Sequence, residues 1–73
     1  MDRNILERHL ALAEEHVTQG NRHVSEQVAL IEKLERDGHK TETARVLLEH
    51  FQEAQRLFLV ERDRIRQELQ RML

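Results

Sequence analysis

Seventy-three residues form one domain at most, and a chain of this length without cysteine has neither a large core nor disulfides to hold it. Lys and Arg number 12 against 14 Asp and Glu, a formal net charge of −2, so the basic excess expected of a nucleic-acid binder is missing. No stretch approaches the roughly 18 apolar residues of a membrane span, and the polar opening MDRNILERHL does not read as a secretory signal. The expectation is a cytoplasmic protein that contacts neither nucleic acid nor membrane. Proline is absent, and Glu, Arg, Leu, Ala and Gln are plentiful, which is the composition of long helices.

The first predicted element is a helix from about 4 to 36. Asp2 or Asn4 supplies its cap, and Asn4 with Glu7 has the spacing of a capping box. Its apolar residues step by four and three through Leu6, Leu10, Ala13, Val17, Gly20, Val24, Gln27, Ile31 and Leu34, a heptad seam with two weak positions, Gly20 and Gln27. Glycine inside a helix costs about 1 kcal/mol relative to alanine. The heptad phase nevertheless continues through Gly20, which favours one continuous helix.

A turn is expected over 37–41, where Gly38 after Asp37 can adopt the left-handed conformation that closes a helix. Thr41 offers a hydroxyl to cap the next helix, and Glu42 suits its positive first turn. The second helix is expected over about 42–72. Its seam reads Ala44, Leu47, Phe51, Ala54, Phe58, Glu61, Ile65, Glu68 and Met72, with a shift towards Arg62 and Leu69 near the end. Two glutamates in that row are poor core residues.

A short connection makes the helices antiparallel neighbours. With the fold-back near residue 39, Gly20 is expected opposite Phe58 and Gln27 opposite Phe51. The fold class is therefore all-α: two long antiparallel helices in a coiled-coil-like hairpin. Val28, Leu30, Leu48, Leu57 and Leu69 widen the apolar stripe beyond what two helices need. That excess points to a homodimer forming a four-helix bundle, with Leu10, Val17, Val24, Ile31, Leu47, Leu48, Phe51, Leu57, Phe58 and Ile65 as core and oligomer residues.

His9, His16 and His23 recur every seven residues, and each precedes an apolar seam residue. Two helical turns separate neighbours in this row by ~10 Å, too far for one ion whose ligands each lie about 2 Å away. No pair has the spacing of three or four that a helical metal site needs. A site built across an interface, for instance from His23 and His50, is the open alternative. The better reading is three half-buried imidazoles flanking the seam, with His23–Glu26 and His50–Glu53 paired locally. A pH-responsive bundle is the other alternative, since histidine changes charge near neutrality. The run ERDRIRQELQR at 61–71 reads as a solvated face with local ion pairs such as Glu61 with Arg64.

Nothing in the chain has the form of catalytic machinery: Ser25 is the only serine, and there is no cysteine nucleophile or glycine-rich phosphate loop. No cofactor is expected. The leading functional expectation is a non-enzymatic helical protein that self-associates. The alternative is a small regulatory or adaptor subunit whose wide stripe awaits another protein.

Several short runs, HV at 16–17, GNRHV at 20–24, LERDG at 34–38, ARVLLEHF at 44–51 and RDR at 62–64, resemble those of short hypothetical proteins from rhizobium-like alphaproteobacteria. The resemblance spans most of the chain. It implies a cytoplasmic helical protein and brings no catalytic or binding residue with it.

Overall fold

The computed structural model describes residues 2–72. Two α-helices, α1 (Arg3–Arg36) and α2 (Glu42–Arg71), pack along their length, and no strand occurs among the described residues. The result is a helical hairpin with principal extents of 55 × 14 × 13 Å.

Asp2 caps α1, its carboxylate accepting from the Asn4 amide at 3.2 Å. Glu7 takes no part in a capping box and pairs instead with Arg3 at 3.0 Å. At the other end Asp37 is the C-cap and Gly38 has φ 75°, in the left-handed region that favours glycine. The Gly38 amide donates to the Glu35 carbonyl at 3.1 Å and the His39 amide to Leu34 at 2.9 Å, the bond pair of a Schellman motif. Thr41 occupies the N-cap of α2, but its hydroxyl does not cap the backbone as expected. Its oxygen accepts from Arg45 Nε at 3.0 Å, and the same guanidinium reaches Glu35 at 2.6 Å, so Thr41 and Arg45 brace the turn against the end of α1.

α1 runs unbroken through Gly20, and its seam is the expected one: Leu6, Ala13, Val17, Gly20, Gln27 and Ile31 are buried. The seam of α2 shows the expected shift to Arg62, Ile65 and Leu69 at its end, but differs from expectation before it. It follows Ala44, Leu48, Phe51, Gln55, Phe58, Arg62, Ile65 and Leu69 throughout, all at least half-buried. Leu47, expected in the seam, is 42% exposed, and Leu57 is 63% exposed. The two candidate rows share Ala44, Phe51, Phe58 and Ile65 and differ only in which neighbouring row completes them. Gln55 decides the matter, because it hydrogen-bonds across the hairpin where Ala54 cannot.

The fold-back register also differs. Facing residues have numbers summing to about 74 or 75, as in Gly20 with Gln55 and His16 with Phe58. Gly20 therefore meets Gln55, three residues before Phe58. The Gln55 Nε2 donates to the Val17 carbonyl at 2.9 Å and to Asn21 Oδ1 at 2.8 Å. Gln27 makes the reciprocal crossing, donating to the Ala44 carbonyl at 2.9 Å. Each amide uses the second lone pair of a helical carbonyl, which satisfies a buried donor without breaking the host helix. Gln55 Oε1 is buried without a hydrogen-bond partner. A Cβ on residue 20 would stand 1.7 Å from that oxygen, so any larger residue requires the Gln55 amide to move.

The apolar core is thin. Its buried members are Leu6, Ala13, Val17, Ile31 and Ile65. The tightest cluster, Leu6, Ala13 and Ile65 with Leu10 and Leu69 against it, lies at the open end of the hairpin.

Candidate interaction surface

Beside the seam each helix carries further rows, and the antiparallel arrangement sorts them onto two flanks. On one flank Glu14, Asn21, Val28 and Glu35 of α1 recur every seven residues, as do Arg45, Gln52, Leu59 and Arg66 of α2. Two ion pairs tie these rows across the hairpin: Arg66 to Glu14 at 3.0 Å and Arg45 to Glu35 at 2.6 Å. Both are half-exposed and worth at most about 1 kcal/mol each. They bridge the two helices on this flank, and between them an open hollow of about 300 Å³ is lined by Asn21, Val24, Gln52, Gln55 and Leu59 among others.

The opposite flank is different. On α1 a stripe with steps of four and three runs through Ile5, His9, Leu12, His16, Gln19, His23, Glu26 and Leu30. On α2 the matching stripe is Leu47, His50, Ala54, Leu57, Glu61 and Arg64. Ile5, Leu12, Leu30, Leu47 and Leu57 are exposed large apolar side chains. The two stripes meet at a hollow of about 210 Å³ lined by His9, Leu12, Ala13, His16, Glu61 and Ile65. The row first expected to be the α2 seam, through Leu47, Ala54 and Glu61, is thus real as a stripe but runs beside the seam, with Ala54 half-buried and Leu47 exposed.

Two of the histidines have defined work on this flank. The His16 ring lies 5.1 Å from Phe58, centroid to centroid, and His23 lies 5.5 Å from Phe51, both tilted by 34°. These separations fall in the range of attractive ring pairs. Each imidazole covers the outer edge of a seam phenylalanine, so both phenylalanines remain only half-buried. His9 holds the equivalent place beside Ile65. The expected local pairs do not form: His23 stacks on Phe51, and the Glu53 carboxylate pairs with Arg56. No group of three or more His, Cys, Asp or Glu side chains able to hold a metal ion occurs among the described residues.

The Glu61–Arg64 pair is present at 2.6 Å, and Arg64 also holds Glu68 at 2.6 Å. The hydrogen bond from Arg64 holds the Glu61 carboxyl below its ordinary range, opposed by desolvation and helped further by the charges of Arg64 and His9. The Arg64 guanidinium is correspondingly raised by its bond to Glu61.

Of the expected core and oligomer residues, Val17, Ile31 and Ile65 are buried, and Leu10, Val24, Leu48, Phe51 and Phe58 are half-buried along the seam. Leu47 and Leu57 project from the histidine-bearing flank. The structure adds residues that the apolar pattern does not reveal: Gln55 and Asn21 in the crossing bond, and the Glu14–Arg66 and Glu35–Arg45 pairs. The signal for the ion pairs is the seven-residue recurrence of charged residues, Glu14 with Glu35 and Arg45 with Arg66, three heptads apart on each helix.

Among the described residues, no helix is long and apolar enough to cross a membrane. Compared with known proteins, the chain matches no family model, no curated protein and no solved structure.

Proposed function

We propose that this chain is a non-enzymatic helical interaction protein that works by self-association, with a homodimeric four-helix bundle as the assembled form. The observation that carries the reading is the second apolar stripe on each helix, on the same flank of the hairpin. A helix that packs against one neighbour needs one seam, whereas a helix in a bundle packs against two and carries a wider apolar face. Here both α1 and α2 carry the extra row, and the single hairpin leaves its large members Ile5, Leu12, Leu30, Leu47 and Leu57 exposed.

The thin core supports the same reading. Only five apolar residues are buried, and no large side chain is fully enclosed among the described residues. Covering apolar surface contributes about 25 cal/mol per Å² before the entropy of ordering is subtracted. Association through the unused stripes supplies what a hairpin of this length lacks.

Sedimentation equilibrium tests the proposal. It predicts a species of twice the 8.8 kDa chain mass at micromolar concentration. A poorly folded monomer at every concentration contradicts it and favours a subunit that folds on a different protein.

A further inference from the structure

We infer that the histidine-bearing flank, and not the ion-paired one, is the surface that receives a second copy of this chain. The inference rests on the self-association proposed above and specifies its geometry. Three observations support it.

The first is charge. Followed to their ends, the stripes of this flank carry the acids Glu26, Glu61 and Glu68 against the bases Lys33, Arg64 and Arg71, and Arg64 already holds Glu61 and Glu68. The flank therefore presents no field of either sign. A strongly acidic or basic partner finds no anchor on it, while an identical surface meets it without repulsion. The opposite flank carries the cross-helix pairs Glu14–Arg66 and Glu35–Arg45, and burying those pairs against another chain would desolvate four charges.

The second is area. The flank runs the 55 Å length of the rod. A stable protein–protein interface takes about 800 Å² of accessible surface from each partner, so an occupant of so narrow a surface has to use it along its length. An equal rod laid alongside is the occupant that fits.

The third is continuity with the core. Phe51 and Phe58 are shared between the hairpin seam and this flank, half-buried, with His23 and His16 packed on their rings. A second hairpin seated on Leu12, Leu57 and these histidines completes the burial of both rings. The contact is isologous, the same stripes meeting on both sides, as closed two-fold dimers require.

Substitutions on the two flanks, read by sedimentation equilibrium with circular dichroism for helicity, test the inference. Leu12 is 51% and Leu57 63% exposed in the hairpin, so Leu12→Glu and Leu57→Glu leave the chain helical. Each is expected to weaken dimerisation at least about tenfold, the effect of replacing one interfacial leucine. Val28→Glu, on the ion-paired flank, is expected to leave it unchanged. If either glutamate variant loses helicity, the corresponding Gln variant replaces it. A dimer that survives both Leu12 and Leu57 substitutions overturns the assignment of this flank while leaving self-association standing. A wild-type chain that is monomeric throughout overturns both.

Discussion

Gln55 Oε1 occupies the space that a side chain on residue 20 would need: an ideal Cβ there lies 1.7 Å from it. The same amide donates to Val17 and Asn21, so one glycine on α1 admits a polar clasp from α2. The relationship accounts for a glycine in the middle of a 34-residue helix. Its cost in helix propensity is offset by hydrogen bonds that hold the two helices in one register.

The clasp predicts a change of sign in a double-mutant cycle. Gly20→Ala in the wild-type chain gains about 1 kcal/mol of helix propensity but displaces an amide that makes two hydrogen bonds, each worth about 1 kcal/mol. A net destabilisation of about 1 kcal/mol is expected. In a Gln55→Ala background nothing obstructs the new methyl group, and Gly20→Ala should stabilise by about 1 kcal/mol. Urea titrations of the four proteins measure the coupling. Equal effects of Gly20→Ala in both backgrounds would show that the clasp does not operate.

Phe58→Ala should cost about 3–5 kcal/mol where the chain is assembled, the range for a buried ring. In dilute solution, with the ring covered only by the hairpin and His16, the loss should be about half of that. Denaturation at high and low protein concentration reads the difference. A cost below about 1 kcal/mol at both concentrations would place Phe58 outside the core.

The charged flank makes an opposite prediction. Arg66→Gln and Glu14→Gln each remove a half-exposed ion pair and should cost less than about 1 kcal/mol, diminishing further in high salt. Neither should alter the oligomeric mass. Thermal melts at low and high salt, with sedimentation alongside, provide the check.

Acid stability carries a signature of Glu61. Its carboxyl is held below the ordinary value of 4.5, first by the hydrogen bond from Arg64. A group depressed on folding contributes stability above its unfolded value and loses it as pH falls through its folded one. The decline in melting temperature below about pH 4.5 should therefore be shallower in Glu61→Gln than in the wild type. The effect is small, because the pair is exposed and screened by solvent. Superimposable acid limbs would contradict it.

Most of the hairpin is legible in the sequence because its signals are local. Gly38 marks the turn, the absence of proline permits two long helices, and the α1 heptads run in phase through Gly20. The seam of α2 is not legible by the same means, because hydrophobicity ranks Leu47 and Ala54 above Gln55 and Arg62. The buried row is settled by a polar residue whose partner, the Val17 carbonyl, lies 38 positions away. No periodicity reports such a bond. The fold-back register is hidden for a related reason: it depends on how the turn projects α2, which moves Gly20 from Phe58 to Gln55. For the candidate surface the position is reversed. The excess apolar residues are plain in the sequence, but their sorting, Leu48 and Leu69 into the seam, Leu30 and Leu57 onto the histidine-bearing flank and Val28 beside the Glu14–Arg66 and Glu35–Arg45 pairs, emerges only once the register is known.

Small-angle X-ray scattering of the wild-type chain tests the central claim most directly, because it reads mass and shape together. Two hairpins packed flank to flank should double the 8.8 kDa mass while keeping a longest dimension near the 55 Å of one rod, with a thicker cross-section. A particle of single-chain mass, or a dimer close to twice as long as one rod, would contradict it.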